Sequence, residues 1–230
     1  MKTARLTIKN YRGFSDQTPA CVEVGEGLTA LLGPNNAGKS SLKLFIYEMR
    51  ALFDVLRRGP ARSPQIIGGS PIGVGGYPGT SDVAEIFNNS NDRDLTFEIE
   101  VVDPTLRPGS SHTINRLVGT CQRSSPLQWS FRFCSLQSGS SPAHSGTGYT
   151  PIDQYRFRSG NGQTVYDFED MLEILEAFFG ARYYGAFRNA LNQGSSQHYD
   201  FQIGTAFIDL WNNWKSSLTP PALSNRLIFI

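Results

Sequence analysis

The chain has 230 residues, long enough to bury a real core as one large domain or two small ones. Lys plus Arg number 21 against 20 Asp plus Glu, a net charge of +1, so no global field draws nucleic acid or membrane. No apolar run approaches the length of a membrane span and no signal-peptide core follows the start.

Residues 4–10 alternate apolar and polar, with Leu6 and Ile8 on one side, as a half-buried strand does. Tyr11-Arg12-Gly13-Phe14 turns, residues 21–24 form a second short strand, and Gly25-Glu26-Gly27 connects tightly to an apolar run, Leu28 to Leu32. That run leads into Gly33-Pro34-Asn35-Asn36-Ala37-Gly38-Lys39-Ser40, which matches G-x-x-x-x-G-K-[ST]. The spacing has a chemical reason. Gly33 and Gly38 permit backbone conformations closed to other residues, so successive N–H groups can turn onto phosphate oxygens. The helix that follows aims its positive end at the same anion. Lys39 would reach the β- and γ-phosphates and the Ser40 hydroxyl would sit on Mg²⁺. A nucleotide site is expected here.

Residues 41–56 carry Leu42, Phe45, Ile46, Met49, Phe53 and Leu56 at helical spacing, a stripe that reads as core. Arg57, Arg58 and Arg62 would complement the helix dipole or stay solvated. Seven glycines and four prolines within residues 59–80 predict a long flexible loop. Ser81 can cap a short helix over 82–87. Strands follow over 95–102, with Leu95, Phe97, Ile99 and Val101 on one face, over 113–121, and over 127–136. Serine-rich turns surround them. Segments 154–158 and 163–166 flank an Asn-Gly hairpin signal at Ser159-Gly160-Asn161-Gly162. Helix returns over 167–179, with Gly180 as a C-cap, and again over 203–217. The chain stops at Leu227-Ile228-Phe229-Ile230, an apolar terminus with no evident partner in the pattern. The expected organisation is a P-loop core (1–58), a Gly/Pro-rich loop (59–81), a mostly antiparallel β region (82–166) and a helical region (167–230). Cys21, Cys121 and Cys134 lack C-x-x-C spacing, and His112, His144 and His198 are scattered. Neither a disulfide framework nor a zinc site is indicated, and a reducing, cytoplasmic setting is the expectation.

The frame Leu6-Thr7-Ile8-Lys9-Asn10-Tyr11-Arg12-Gly13-Phe14, a short strand, then residues 28–41 with Pro-Asn-Asn-Ala inside the loop, resembles an ABC-type ATPase head of the SMC-, RecF- and OLD-like group. Residues 82–89 and 184–190 resemble segments of its prokaryotic AAA family ATPases. The resemblance implies an α/β P-loop fold with a mostly antiparallel β subdomain and flanking helices. It implies ATP and Mg²⁺ as ligands, with Asn35, Asn36, Ala37, Gly38, Lys39, Ser40 and Ser41 as loop contacts and Lys39 as the catalytic one. Arg12 would lie near the nucleotide, or else be a surface arginine in a turn. Such heads dimerise with ATP sandwiched between them, serve DNA repair or anti-phage defence, and often act with a nuclease. The implied partners are a second head, a nuclease or ATPase subunit, and DNA.

Two parts of such a head are missing from the pattern. No four-residue apolar run ends in Asp-Glu; Ala206-Phe207-Ile208-Asp209 comes nearest, but Leu210 follows and Trp211 and Trp214 continue a helical stripe. Ser159-Gly160-Asn161-Gly162-Gln163 imitates the signature motif, yet β-like residues flank it on both sides and favour a hairpin. The expectation is therefore an incomplete head, hydrolysing ATP only when completed by a further segment or a partner. The alternative is a non-catalytic module that dimerises or interacts in response to nucleotide.

Overall fold

A computed structural model describes residues 2–26, 31, 38–62, 69–136, 143–144, 149–160, 162, 164–183 and 228–229. The strand expected over 28–32 (residue 31 apart), residues 33–37 of the loop motif and the helix expected over 203–217 lie outside them.

The architecture is α/β with a mostly antiparallel sheet, as the sequence predicts. Strands β1 (Ala4–Lys9) and β2 (Ala20–Val24) form an antiparallel pair. Helices α1 (Lys39–Glu48), α2 (Arg50–Leu56) and α3 (Gly59–Arg62) follow, then β3 (Ile72–Gly73), a 3₁₀ turn (Val83–Ile86) and β4 (Leu95–Val101). Next come β5 (His112–Cys121), β6 (Gln128–Leu136), β7 (Ala143–His144), β8 (Thr150–Pro151), β9 (Arg156–Arg158), β10 (Val165–Asp167), α4 (Glu169–Phe179), β11 (Arg182–Tyr183) and β12 (Ile228–Phe229). The main sheet runs β2-β1-β4-β5-β10-β9-β8, with β6 also on β5 and flanked by β3 and β7. Among the described strands of this sheet, only β5 with β10 is parallel. A register shift between Ile114 and Arg116 in the β5–β6 pairing lies next to the point where the other edge of β5 passes from β10 to β4.

One face of the sheet is apolar because the strands alternate. Leu6, Ile8, Phe97, Ile99, Leu117, Trp129, Phe131 and Phe133 are buried there. The stripes of α1, α2 and α4 join them in one core. Phe97 is its centre, with ring centroids 5.6 Å from Phe45, 6.1 Å from Phe53 and 5.4 Å from Trp129. Burying such a ring contributes roughly 2–3 kcal/mol. Its cross-strand neighbour is Gly119, where an added Cβ would come within 2.5 Å of the Phe97 ring. The opposite face carries polar cross-strand pairs, Arg5 with Glu23 and Glu100 and Arg116 with Glu98, which contribute little to stability.

Several local expectations change. The helix predicted over 41–56 is interrupted at Met49 (φ −82°, ψ 6°), which closes α1 and opens α2. Of the segment 59–80, the described residues 59–62 and 69–80 hold α3 and β3 and not loop alone, and residues after β3 are tied down by buried anchors. Val74 N–H bonds Leu127 O (2.9 Å), and Tyr77 Oη donates to Pro126 O (2.6 Å) while accepting from Trp129 Nε1 (2.9 Å). The turn over 83–86 is 3₁₀, and Asp82 caps it in place of Ser81, accepting from Ala84 N–H at 2.9 Å. Gly180 does close α4, but in right-handed conformation. The apolar terminus has a partner: Ile228 and Phe229 pair in parallel with Arg182 and Tyr183. Residues 156–167 form the antiparallel hairpin that Asn-Gly predicts, with Ser159 N–H on Thr164 O (2.9 Å) and Gly162 N–H on Ser159 O (2.8 Å). Ser159 and Gly160 therefore stand in a β-connection, not at the start of a helix.

Candidate functional site

The end of the G-x-x-x-x-G-K-[ST] motif sits at the start of α1. Gly38 is its N-cap in left-handed conformation (φ 81°, ψ 5°), which glycine alone adopts without strain. Leu42 N–H is the first to close back, onto Gly38 O at 2.9 Å. The N–H groups of Ser40 and Ser41 precede it and have no intrahelical carbonyl to meet. Among the described residues no side chain caps this end, and no acidic residue lies in the first turn. Ser40 is exposed, and Lys39 and Ser41 are half-buried. This donor set fits an anion carrying Mg²⁺: an ammonium, a hydroxyl and a helix start without competing carboxylates. Asn35, Asn36 and Ala37 lie outside the described residues. Among those described, no group of acidic, His and Cys side chains is arranged to hold a metal by itself.

The turn after β1 lies directly on that exit. An added Cβ at Gly38 would come within 2.5 Å of the Phe14 ring, so the ring covers the glycine. Asn10 (φ 57°) and Arg12 (φ 46°) both take left-handed conformations, each costing on the order of 1 kcal/mol outside glycine. The turn persists because residues 86–94 hold it. Arg12 N–H bonds Ile86 O (3.1 Å), Asn88 N–H bonds Asn10 O (3.0 Å) and Phe14 N–H closes on Tyr11 O (2.8 Å).

Arg12 is brought to the far end of α1. Its Nη2 donates to Glu48 Oε1 and its Nε to Tyr11 Oη (3.1 Å). Tyr11 Oη donates to Glu48 Oε2 at 2.6 Å, and Thr80 Oγ1 donates to Glu48 Oε1 at 3.0 Å. The Glu48 side chain is 2% exposed and that of Arg12 25%. Burial, then the Glu48 carboxylate, pushes the Tyr11 phenol far above its ordinary range. Burial works against the Arg12 charge, but Tyr11 and Glu48 outweigh it and hold the guanidinium protonated. Arg12 also borders a pocket of about 440 Å³ with Gly13, Ala84, Glu85, Phe87 and Asn89. It is thus a turn residue with a buried counter-ion and one wall of a pocket.

Arg57 and Arg58 engage nearer partners. Arg57 reaches Asp54 (2.7 Å) and Glu176 (3.0 Å) and stacks on Phe179, while Arg58 reaches Asp54 (2.6 Å). Sequence reasoning missed Phe14, Glu48, Thr80 and Asn88. Glu48 had a signal: it lies three residues from Phe45 and four from Leu52, inside the apolar stripe. A carboxylate placed there must find partners.

A protein-family model described as an AAA domain matches residues 5–119, half of the chain. No curated protein matches it. A solved structure reported for ATP-driven dimerization and DNA-stimulated activation of SMC ATPases aligns with 62% of this chain and 72% of its own. The identity is 12% and the TM-score 0.31.

Proposed function

We propose that this chain, which belongs to the AAA-domain family, binds ATP with Mg²⁺ through residues 33–41 as the N-terminal part of an ABC-type ATPase head of the SMC-, RecF- and OLD-like group. The observation that carries this is the left-handed Gly38 leading straight into Lys39 and Ser40 at an uncapped helix start. Phosphate oxygens would be met by Lys39 and by backbone N–H groups of the loop, Asn35 to Ser41. Ser40 would hold the metal, which neutralises charge on the phosphates when bound. Arg12 would face the nucleotide from the pocket side. By the same resemblance the heads would pair across nucleotide, with DNA and a nuclease as partners, in repair or anti-phage defence.

Hydrolysis also needs an Asp-Glu pair, and the sequence contains none. Cleavage is accordingly expected only with residues from outside these 230. The same observation favours the second reading, a nucleotide-responsive module without catalysis of its own; multiple-turnover ATPase activity of the isolated chain would exclude it.

Lys39→Ala tests the binding reading. Loss of a charge-assisted phosphate contact should weaken ATP·Mg²⁺ about 10- to 100-fold, read by calorimetric titration, with the melting curve preserved. Unchanged affinity in that variant refutes it.

A further inference from the structure

We infer that Asn88 is a positioning residue for the phosphate loop, acting through Phe14 on Gly38; this rests on the nucleotide-binding reading above. Asn88 stands 49 residues beyond Lys39 in the sequence, outside the phosphate-loop motif and inside the 82–89 segment, to which the sequence pattern attaches no role. It is 3% exposed. Its Nδ2 donates to two backbone carbonyls of the turn, Arg12 O at 2.7 Å and Phe14 O at 3.1 Å. Its Oδ1 accepts from Ser90 N–H (2.8 Å) and Asn91 Nδ2 (3.2 Å).

Both ends of the amide are therefore used, which fixes its orientation. A flipped amide would set Oδ1 against two carbonyl oxygens and lose all four bonds. The residue is anchored from behind as well. Arg123 Nη2 donates to the carbonyls of Asn88 and Asn91 (2.8 Å to the latter), and its guanidinium lies over the Phe87 ring at 5.0 Å. Asn91 Nδ2 reaches Asn10 Oδ1 (3.1 Å), and Asn10 Nδ2 reaches Asp94 O (3.0 Å).

This web holds a turn that would otherwise relax, since Asn10 and Arg12 both sit in left-handed backbone. What the turn carries is Phe14, seated on Gly38 one residue before Lys39. Asn88 touches neither the loop nor a nucleotide. It sets the height of the ring above Gly38, and through it the direction in which α1 presents its first N–H groups and Lys39.

Asn88→Asp tests this, because it keeps Oδ1 and replaces the double donor with an oxygen facing two carbonyls. ATP·Mg²⁺ affinity is titrated for wild type, Lys39→Ala, Asn88→Asp, Phe14→Ala and the Asn88→Asp/Phe14→Ala pair, at a temperature where circular dichroism shows each folded. Asn88→Asp should weaken binding about tenfold alone and no more than about twofold in the Phe14→Ala background, because the ring through which it acts is gone. A purely structural role would lower the melting temperature and leave this coupling at zero. If Asn88→Asp does not fold, Asn88→Ala, which removes the donors without the repulsion, carries the same cycle. Wild-type affinity in the folded Asn88 variant, or additive effects in the pair, overturns the inference alone when Lys39→Ala still weakens binding at least about tenfold. A wild-type chain that binds no ATP overturns both this inference and the function it rests on.

Discussion

Replacing Glu48 with Gln should destabilise the fold by about 3 kcal/mol, a value set by how its four-group cluster shares protons. The carboxylate is 2% exposed and accepts from Tyr11 Oη, Arg12 Nη2 and Thr80 Oγ1. Tyr11 Oη in turn accepts from Arg12 Nε at 3.1 Å. A glutamine can keep its oxygen on Arg12 and Thr80, but its amide then confronts a phenol whose proton has lost its acceptor. That mismatch costs about 1–3 kcal/mol, and exchanging a charged acceptor for a neutral one opposite Arg12 adds about 1 kcal/mol. Because Arg12 is 25% exposed, water repays part of its loss, which keeps the total below the ~5 kcal/mol ceiling for breaking a buried pair. At about 2–4 °C per kcal/mol for a chain of this size, the melting temperature should fall by roughly 6–12 °C. Thermal and urea unfolding by circular dichroism measure it. Adding Tyr11→Phe removes the orphaned phenol, so the double variant should be about 1–2 kcal/mol more stable than additivity allows. A drop under about 1 kcal/mol, or strictly additive variants, refutes the shared-proton description.

Gly38→Ala should weaken ATP·Mg²⁺ binding about tenfold in titration, because alanine disfavours the left-handed backbone by ~1–2 kcal/mol and its Cβ would press on the Phe14 ring. The left-handed backbone strain stays whatever lies above it, so Phe14→Ala should not rescue the variant; rescue would refute that reasoning. Stability should also fall from pH 9 upward. Burial raises the Cys121 thiol from 9.0 to about 11, so its contribution is complete below pH 9 and disappears as pH rises towards 11. The loss is at most ~3 kcal/mol. Melting curves between pH 8 and 11 should show it, with Cys121→Ala flattening the pH 9–10 portion; above pH 10 Tyr11 and Tyr77, also raised by burial, add to the slope.

The sheet was legible in the sequence where one face meets core and the other does not. Leu95, Phe97, Ile99 and Val101 alternate without interruption, and β4 runs from Leu95 to Val101. Asn-Gly marked the 156–167 hairpin correctly, which removes Ser159 and Gly160 from candidacy as a helix-capping signature. The Gly/Pro-rich segment was less legible. Its described part after β3 is held by single buried anchors such as Tyr77, whose hydroxyl partners Pro126 and Trp129 lie about fifty residues away. No periodicity encodes a contact of that kind. The loop motif announced Lys39 and Ser40, but not the groups that hold them, because Asn88 contacts Arg12 and Phe14 across more than seventy residues.

The same distances explain why Arg12 resists a one-word role. A basic residue after the first strand can serve a nucleotide only if its position is fixed before the ligand arrives, since a mobile guanidinium would spend much of its binding energy on ordering. Glu48 supplies that fixation at the end of the helix whose start carries Lys39, and Asn88 supplies it to the backbone of the turn. Displacement of α1 would therefore shift Arg12 through Glu48 and Gly38 against Phe14 in one motion. These bonds link the turn, the helix and the 86–94 segment, so a perturbation at any of Asn88, Glu48 or Phe14 should change ATP·Mg²⁺ affinity without touching Lys39.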